Sequence, residues 1–221
     1  PVFCLKARPM TPDLIEQLSK SEAAHKYDHG HALVLAGAFG KGGAARLAAR
    51  GALRIGAGLV TVGCPPSALL EHATQLTSIM CRRVDGAEGL LELLCDARFN
   101  ALCIGPGLGL DDNAHALLRV VLESKRATVV DADALALLAV DPSLFAGLHD
   151  QVVLTPHAGE FARLFPDLAG RNDESVKTAA EISGCTVLLK GPVTRISMPG
   201  RPLGNITSTG DSAVPWLATA G

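Results

Sequence analysis

No apolar run in these 221 residues reaches the roughly 18 needed to cross a bilayer. The opening PVFCLKARPM has no charged start followed by an apolar core, so it does not read as a secretory signal. It also lacks an initiator Met, from which an excerpt of a longer chain is expected. Basic runs are missing too: the longest is Arg82-Arg83, and the formal net charge is -2. That argues against nucleic acid or an anionic membrane surface as the main partner. Six cysteines are present, Cys4, Cys64, Cys81, Cys95, Cys103 and Cys185, but none forms a C-x-x-C pair. Most sit in apolar runs, so reduced core thiols in a cytosolic protein are expected, with neither a disulfide frame nor a zinc site. There are no internal repeats and no low-complexity tract.

With 48% hydrophobic and 19% charged residues, the chain is long and apolar enough for one large domain. Short apolar runs recur: HALVLAG, GLVTVGCP, ALCIGPG, ATVVDADAL, QVVLTPH and CTVLLKGP. Each is rich in Val and Leu and ends in Gly, Pro, Asp or His, as strands of a mainly parallel sheet buried on both faces do. Helical segments separate them: GGAARLAARGALRIGAG, DDNAHALLRVVLESK and ESVKTAAEISG. In the first, Arg46, Arg50 and Arg54 line one side, favoured as a solvated face over an anion site, and Leu47, Ala48 and Ile55 are expected against the sheet. A short strand pair is expected around MPGRP. Residues 1 to about 25 read as a helical leader or linker, with Thr11 as an N-cap, and 26–221 as an α/β domain.

Open α/β sheets bind ligands at the C-terminal ends of their strands, and polar motifs gather there. GAFGKGGAA, Gly37 to Ala45, permits close backbone approach and opens a helix whose free N–H groups suit anions. It is not a P-loop, because no G-K-[ST] follows at the required spacing. IGPGLG, Ile104 to Gly109, places Pro106 between two glycines in a rigid loop. In DADAL, Asp131 or Asp133 either caps the next helix or holds a substrate hydroxyl or a metal's hydration shell. TPHAGEF sets His157 at a strand end, where contact with substrate and no structural duty are expected. Glu160 reads equally well as a first-turn acid or as part of a capping arrangement. Lys190 at the next strand end suits phosphate as a point charge, with Gly191, Pro192 and Thr194 in the following turn.

Six motifs in order carry a resemblance: G-G-A-A-x-L-A-A-R-G-A-L-R-x-G-A-G-L-V-T-V, G-P-G-L-G, V-D-A-D-A-L, L-T-P-H-x-G-E and L-K-G-x-x-T, after K-x-D-H-G-H. From about Lys26 to Gly221 the sequence resembles the ADP-dependent NAD(P)H-hydrate dehydratases of the ribokinase-like superfamily. The resemblance implies a cytoplasmic lyase that repairs NADH or NADPH hydrated at the nicotinamide C5–C6 bond. ADP, or ATP, with Mg2+ would phosphorylate the C6 hydroxyl, and loss of phosphate would restore the double bond. It implies that Ala44, Gly107 and His157 line the substrate pocket and that Lys190, Gly191, Pro192, Val193 and Thr194 hold the nucleotide. It further implies a homo-oligomer and a possible N-terminal epimerase domain, with no residue acting as a protein metal ligand. Within NITSTGDSAVPWLATAG, Asp211 falls where such proteins have the Asn of T-G-N. The catalytic Asp is therefore expected beyond Gly221. The competing expectations are a thiazole or pyrimidine alcohol kinase of the same superfamily and a non-catalytic nucleotide-binding module.

Overall fold

The computed structural model describes residues 25–168, 172–201 and 203–207. The expected leader with Thr11, and also Asp211 and Gly221, lie outside these residues, as does Cys4. Nine strands form one sheet: β1 (His31–Leu35), β2 (Leu59–Cys64), β3 (Met80–Arg83), β4 (Phe99–Ile104), β5 (Ala127–Val130), β6 (Val152–Leu154), β7 (Thr186–Leu189), β8 (Val193–Ser197) and β9 (Gly204–Thr207). Their order is β3-β2-β1-β4-β5-β6-β7-β8-β9. Strands β1 to β7 pair in parallel, whereas β8 and β9 add antiparallel, forming the terminal pair that MPGRP foreshadows. The six apolar runs are strands. The edge strand β3 was not expected, because MCRR is too polar to read as a buried run.

Eight α-helices connect or flank these strands among the described residues: α1 (Gly43–Ile55), α2 (Leu69–Gln75), α3 (Gly86–Leu94), α4 (Asp112–Glu123), α5 (Asp133–Val140), α6 (Pro142–Phe145), α7 (Ala158–Leu164) and α8 (Asp173–Ser183). Local chemistry sets several ends. Asp111 caps α4 by accepting from Ala114 N, and Asn172 caps α8 through Ser175 N. Gly184 then closes α8 in the left-handed region that glycine adopts without steric cost.

Alternation along β1 shows why its run is continuously apolar. Leu33 and Leu35 enter the larger core with α3, α4, α5, α7 and α8, while Val34 enters a second core with Ala45 and Ala49 of α1. Both faces of β1 are thus covered. On β5 the second face is more open, with Val129 37% exposed.

Two expectations need correction. Leu47 and Ile55 do not face the sheet: they are exposed, and α1 buries Ala45 and Ala49. Small residues let the helix lie close to β1 and β2, so this alanine face prevails over the larger side chains. The cysteines, too, are not uniformly in the core. Cys64 and Cys185 are buried, Cys81 and Cys103 partly so, and Cys95 is exposed after α3; all five are free thiols. No helix among the described residues is long and apolar enough to cross a membrane.

Candidate functional site

The chain leaves β1 toward β2 on one side, and leaves β4 toward β5 on the other. Neighbouring strands whose connections diverge open a crevice outside their C-terminal ends. The two glycine-rich loops meet there. A Cβ built on Gly37 would lie 1.6 Å from the Gly107 carbonyl oxygen, and one on Gly107 2.5 Å from the Lys41 carbonyl oxygen. Backbone therefore packs on backbone, and Gly107 also has φ 68°, which favours glycine. Gly107 is half-buried in this contact, whereas Ala44 is exposed in the first turn of α1. That helix starts at Gly42 without a side-chain cap, so its first amides are not consumed by one.

A second helix supports the first loop. Glu71 of α2 accepts from Gly40 N and from Arg46 Nη1, each at 2.7 Å. Those bonds hold the Glu71 carboxyl below its usual range, the Arg46 bond foremost. Arg50 donates to the Gln75 carbonyl, so the arginine row is not simply a solvated face: two of its three members clasp α2. His72 lies fully buried under this loop, and a Cβ on Gly42 would come within 2.6 Å of its ring. Glu71 and His72 gave no sequence signal, because neither belongs to a strand-end motif.

Farther along the same edge, Lys190 N donates to the Pro156 carbonyl at 2.8 Å, which sets His157 and Lys190 side by side on adjacent strand ends. Lys190 Nζ donates to Asp131 Oδ1 at 2.7 Å, while Asp133 Oδ2 accepts from Gly109 N at 2.9 Å. Neither aspartate caps α5 through its side chain, so that expectation fails. Burial, with the Asp131 charge nearby, pushes the Cys103 thiol up to about 12, which disfavours the thiolate that a nucleophile needs.

His157 corrects the expectation of no structural duty. It is the N-cap of α7: its Nδ1 accepts from Gly159 N at 2.9 Å, and His157 N in turn donates to Glu160 Oε2 at 2.7 Å. A ring accepting at Nδ1 carries its hydrogen on Nε2, which lies 3.4 Å from Glu160 Oε1. The side chain is still 58% exposed, so capping leaves one ring face open to a ligand. In the turn after β7, Gly191 and Pro192 are exposed and Val193 and Thr194 are half-buried, with Thr194 Oγ1 donating to the Gly191 carbonyl at 3.4 Å.

Two concavities also lie elsewhere. One of ≈ 390 Å³ runs between α5 and α7 past Leu110, Leu137, Val140 and Arg163. Another of ≈ 290 Å³ sits at the opposite edge, where β1, β2 and β4 begin. The strand-end edge is the stronger candidate because an ammonium, an imidazole and glycine-rich backbone converge there. No group of three His, Cys, Asp or Glu suited to a metal ion comes together among the described residues.

Comparison with known proteins bears on this edge. A model of the NAD(P)H-hydrate dehydratase family matches residues 32–221. The bifunctional NAD(P)H-hydrate repair enzyme Nnr of Moorella thermoacetica is 38% identical over 221 residues, covering 93% of this chain and 41% of its own length. The chain spans between 28% and 41% of the length of eight such curated relatives. An ADP/ATP-dependent NAD(P)H-hydrate dehydratase from Bacillus subtilis, co-crystallized with ATP/Mg2+, is similar in structure. Its TM-score is 0.69 at 28% identity, over 89% of this chain and 71% of that one. A ribokinase-like superfamily protein from Enterococcus faecalis shares the fold, with a TM-score of 0.74 at 23% identity over 90% of this chain and 70% of that one.

Proposed function

The chain belongs to the NAD(P)H-hydrate dehydratase family, and from that premise we propose that it catalyses nucleotide-dependent dehydration of hydrated NADH or NADPH. The observation that carries the proposal is the shared edge, where Gly107, His157 and Lys190 stand at the ends of parallel strands. Ala44, Gly107 and His157 would line the pocket for the hydrated nicotinamide. Lys190, Gly191, Pro192, Val193 and Thr194 would hold the adenine nucleotide. The C6 hydroxyl gives its proton to a base and attacks the nucleotide's terminal phosphorus, whose bond to the bridging oxygen breaks and releases the nucleotide one phosphate shorter. The C–O bond then breaks, phosphate leaves, and loss of a proton from C5 restores the double bond. Lys190 offsets phosphoryl charge as a point cation. The base that the resemblance implies is not among the described residues.

Magnesium finds no protein cage among the described residues. It would travel with the nucleotide's phosphates and water, and no step above depends on it. A cytoplasmic location, a homo-oligomer and a fused epimerase domain belong to the same proposal; the description of the relatives as bifunctional supports the last.

The test is recovery of 340 nm absorbance from hydrated NADH or NADPH with ADP or ATP and magnesium. Recovery that needs the nucleotide is the expected result. Nucleotide consumed only with thiazole or pyrimidine alcohols would replace this proposal with a kinase.

A further inference from the structure

Asp131, Ala132 and Asp133 occupy the turn from β5 into α5. Asp131 reaches toward the β7 end, bonding Lys190, and Asp133 reaches back to the loop after β4, bonding Gly109 N. These contacts leave in opposite directions along the sheet, because β5 lies between β4 and β6. Between them Ala132 has φ 47° and ψ -120°, a backbone shape that an L-residue adopts only under strain. Only one other non-glycine described residue, Lys125, has positive φ, and its value of 53° accompanies the turn that ends α4. The strained turn is also packed from below: a Cβ on Gly105 would lie 1.7 Å from the Asp131 carbonyl oxygen. Helix capping does not account for the two carboxylates, since neither caps α5.

We propose, building on the function proposed above, that Asp131 and Asp133 are positioning residues of a clamp that fixes the nucleotide turn against the substrate loop. Ala132 is its joint. Asp131 aims the Lys190 ammonium while leaving two of its N–H donors for phosphate. Asp133 fixes the loop through Gly109 and so the place of Gly107. An ordinary φ at Ala132 would swing one carboxylate off its partner, so the two halves of the site are set together.

The test uses direct ADP titration by calorimetry and amide hydrogen exchange, neither of which needs turnover. Asp131→Ala should weaken ADP binding tenfold or more, yet leave exchange of the 105–110 loop within twofold. Asp131→Asn, which keeps an acceptor oxygen, should restore most of the affinity, as positioning requires and bulk charge does not. Asp133→Ala should speed exchange of the loop tenfold or more and leave ADP affinity within twofold, with Asp133→Asn again restoring the wild-type value. Ala132→Val, whose branched Cβ disfavours positive φ, should disturb both readouts, whereas Ala132→Gly, which adopts that φ without strain, should keep both near wild type. Tighter ADP binding by Asp131→Ala, equal effects of both alanine variants on both readouts, or wild-type readouts in a folded Ala132→Val would overturn the clamp. A protein that binds ADP but turns over no hydrate would defeat the proposed function and leave the clamp to these readouts. A wild-type chain that binds no ADP would overturn the nucleotide half of both.

Discussion

At the scale of single residues, His157 caps α7, and the proposed function gives the same side chain a second task at the substrate. Its strand-end place was legible in T-P-H, because proline and a strand terminus direct a side chain out of the sheet. Its capping bond was not, since Ser, Thr, Asp and Asn are the usual N-caps and an imidazole gives little warning. The two roles separate by substitution. His157→Ala should cost about 1 kcal/mol of stability, the usual worth of an N-cap, along with at least a tenfold loss of turnover. His157→Asn keeps a capping oxygen, so it should melt near wild type yet remain as slow as the alanine variant. Chemical denaturation paired with steady-state rates decides this: full activity in His157→Asn would leave the residue purely structural. Asp131 and Asp133 were visible as strand-end acids, but their partners come from distant strands, and no local spacing encodes such bonds.

Among the elements, strands were the most legible part of the fold. A strand covered on both faces must be apolar throughout, and that run is visible without knowing its neighbours. Helix faces were less so. In α1, Leu47 and Ile55 outweigh Ala45 and Ala49 on any hydrophobicity count, yet the alanines are fully buried and Ile55 is 76% exposed. What selects the alanine face is room between helix and sheet, a property of the assembled layers. Ala49→Leu should therefore destabilise by about 1–3 kcal/mol through overpacking. Leu47→Gln and Ile55→Gln, at the solvent, should each stay within about 0.5 kcal/mol. Urea midpoints read the ranking, and a larger loss in Ile55→Gln than in Ala49→Leu would show the face to be wrong. The same reasoning explains α2, whose Glu71 holds the first loop although its own sequence is unremarked by any motif.

For the whole molecule, burial of histidines should govern how stability follows pH. His31, His72 and His149 all have lowered pKa values, chiefly because burial penalises the charged ring. The unfolded chain takes up protons below about pH 6.5, whereas the native chain resists them until lower pH. Their contribution is therefore fully present above that value and is lost as pH falls toward the native pKa values. Asp96, held near about 2 by Arg98, acts in a separate and more acidic window, below the ordinary carboxylate range. Thermal melts at pH 8, 6.5 and 5.5 should fall mainly across the last interval. His72 is the sharpest case, being fully buried with neither ring nitrogen bonded. His72→Leu should flatten the acid slope and melt no lower than wild type at pH 8, since two unsatisfied polar atoms are removed. An unchanged slope would shift the effect to the other histidines. The contact between Gly37 and Gly107 has a different kind of consequence. Gly37 has no space for a methyl group against the Gly107 carbonyl, and Gly107, at φ 68°, has none against Lys41, so neither position has a tolerated alternative for the other to answer. Across a large set of diverged sequences, such a pair would show no correlated exchange. A contact map drawn from covariation would then leave blank one of the closest approaches in the site.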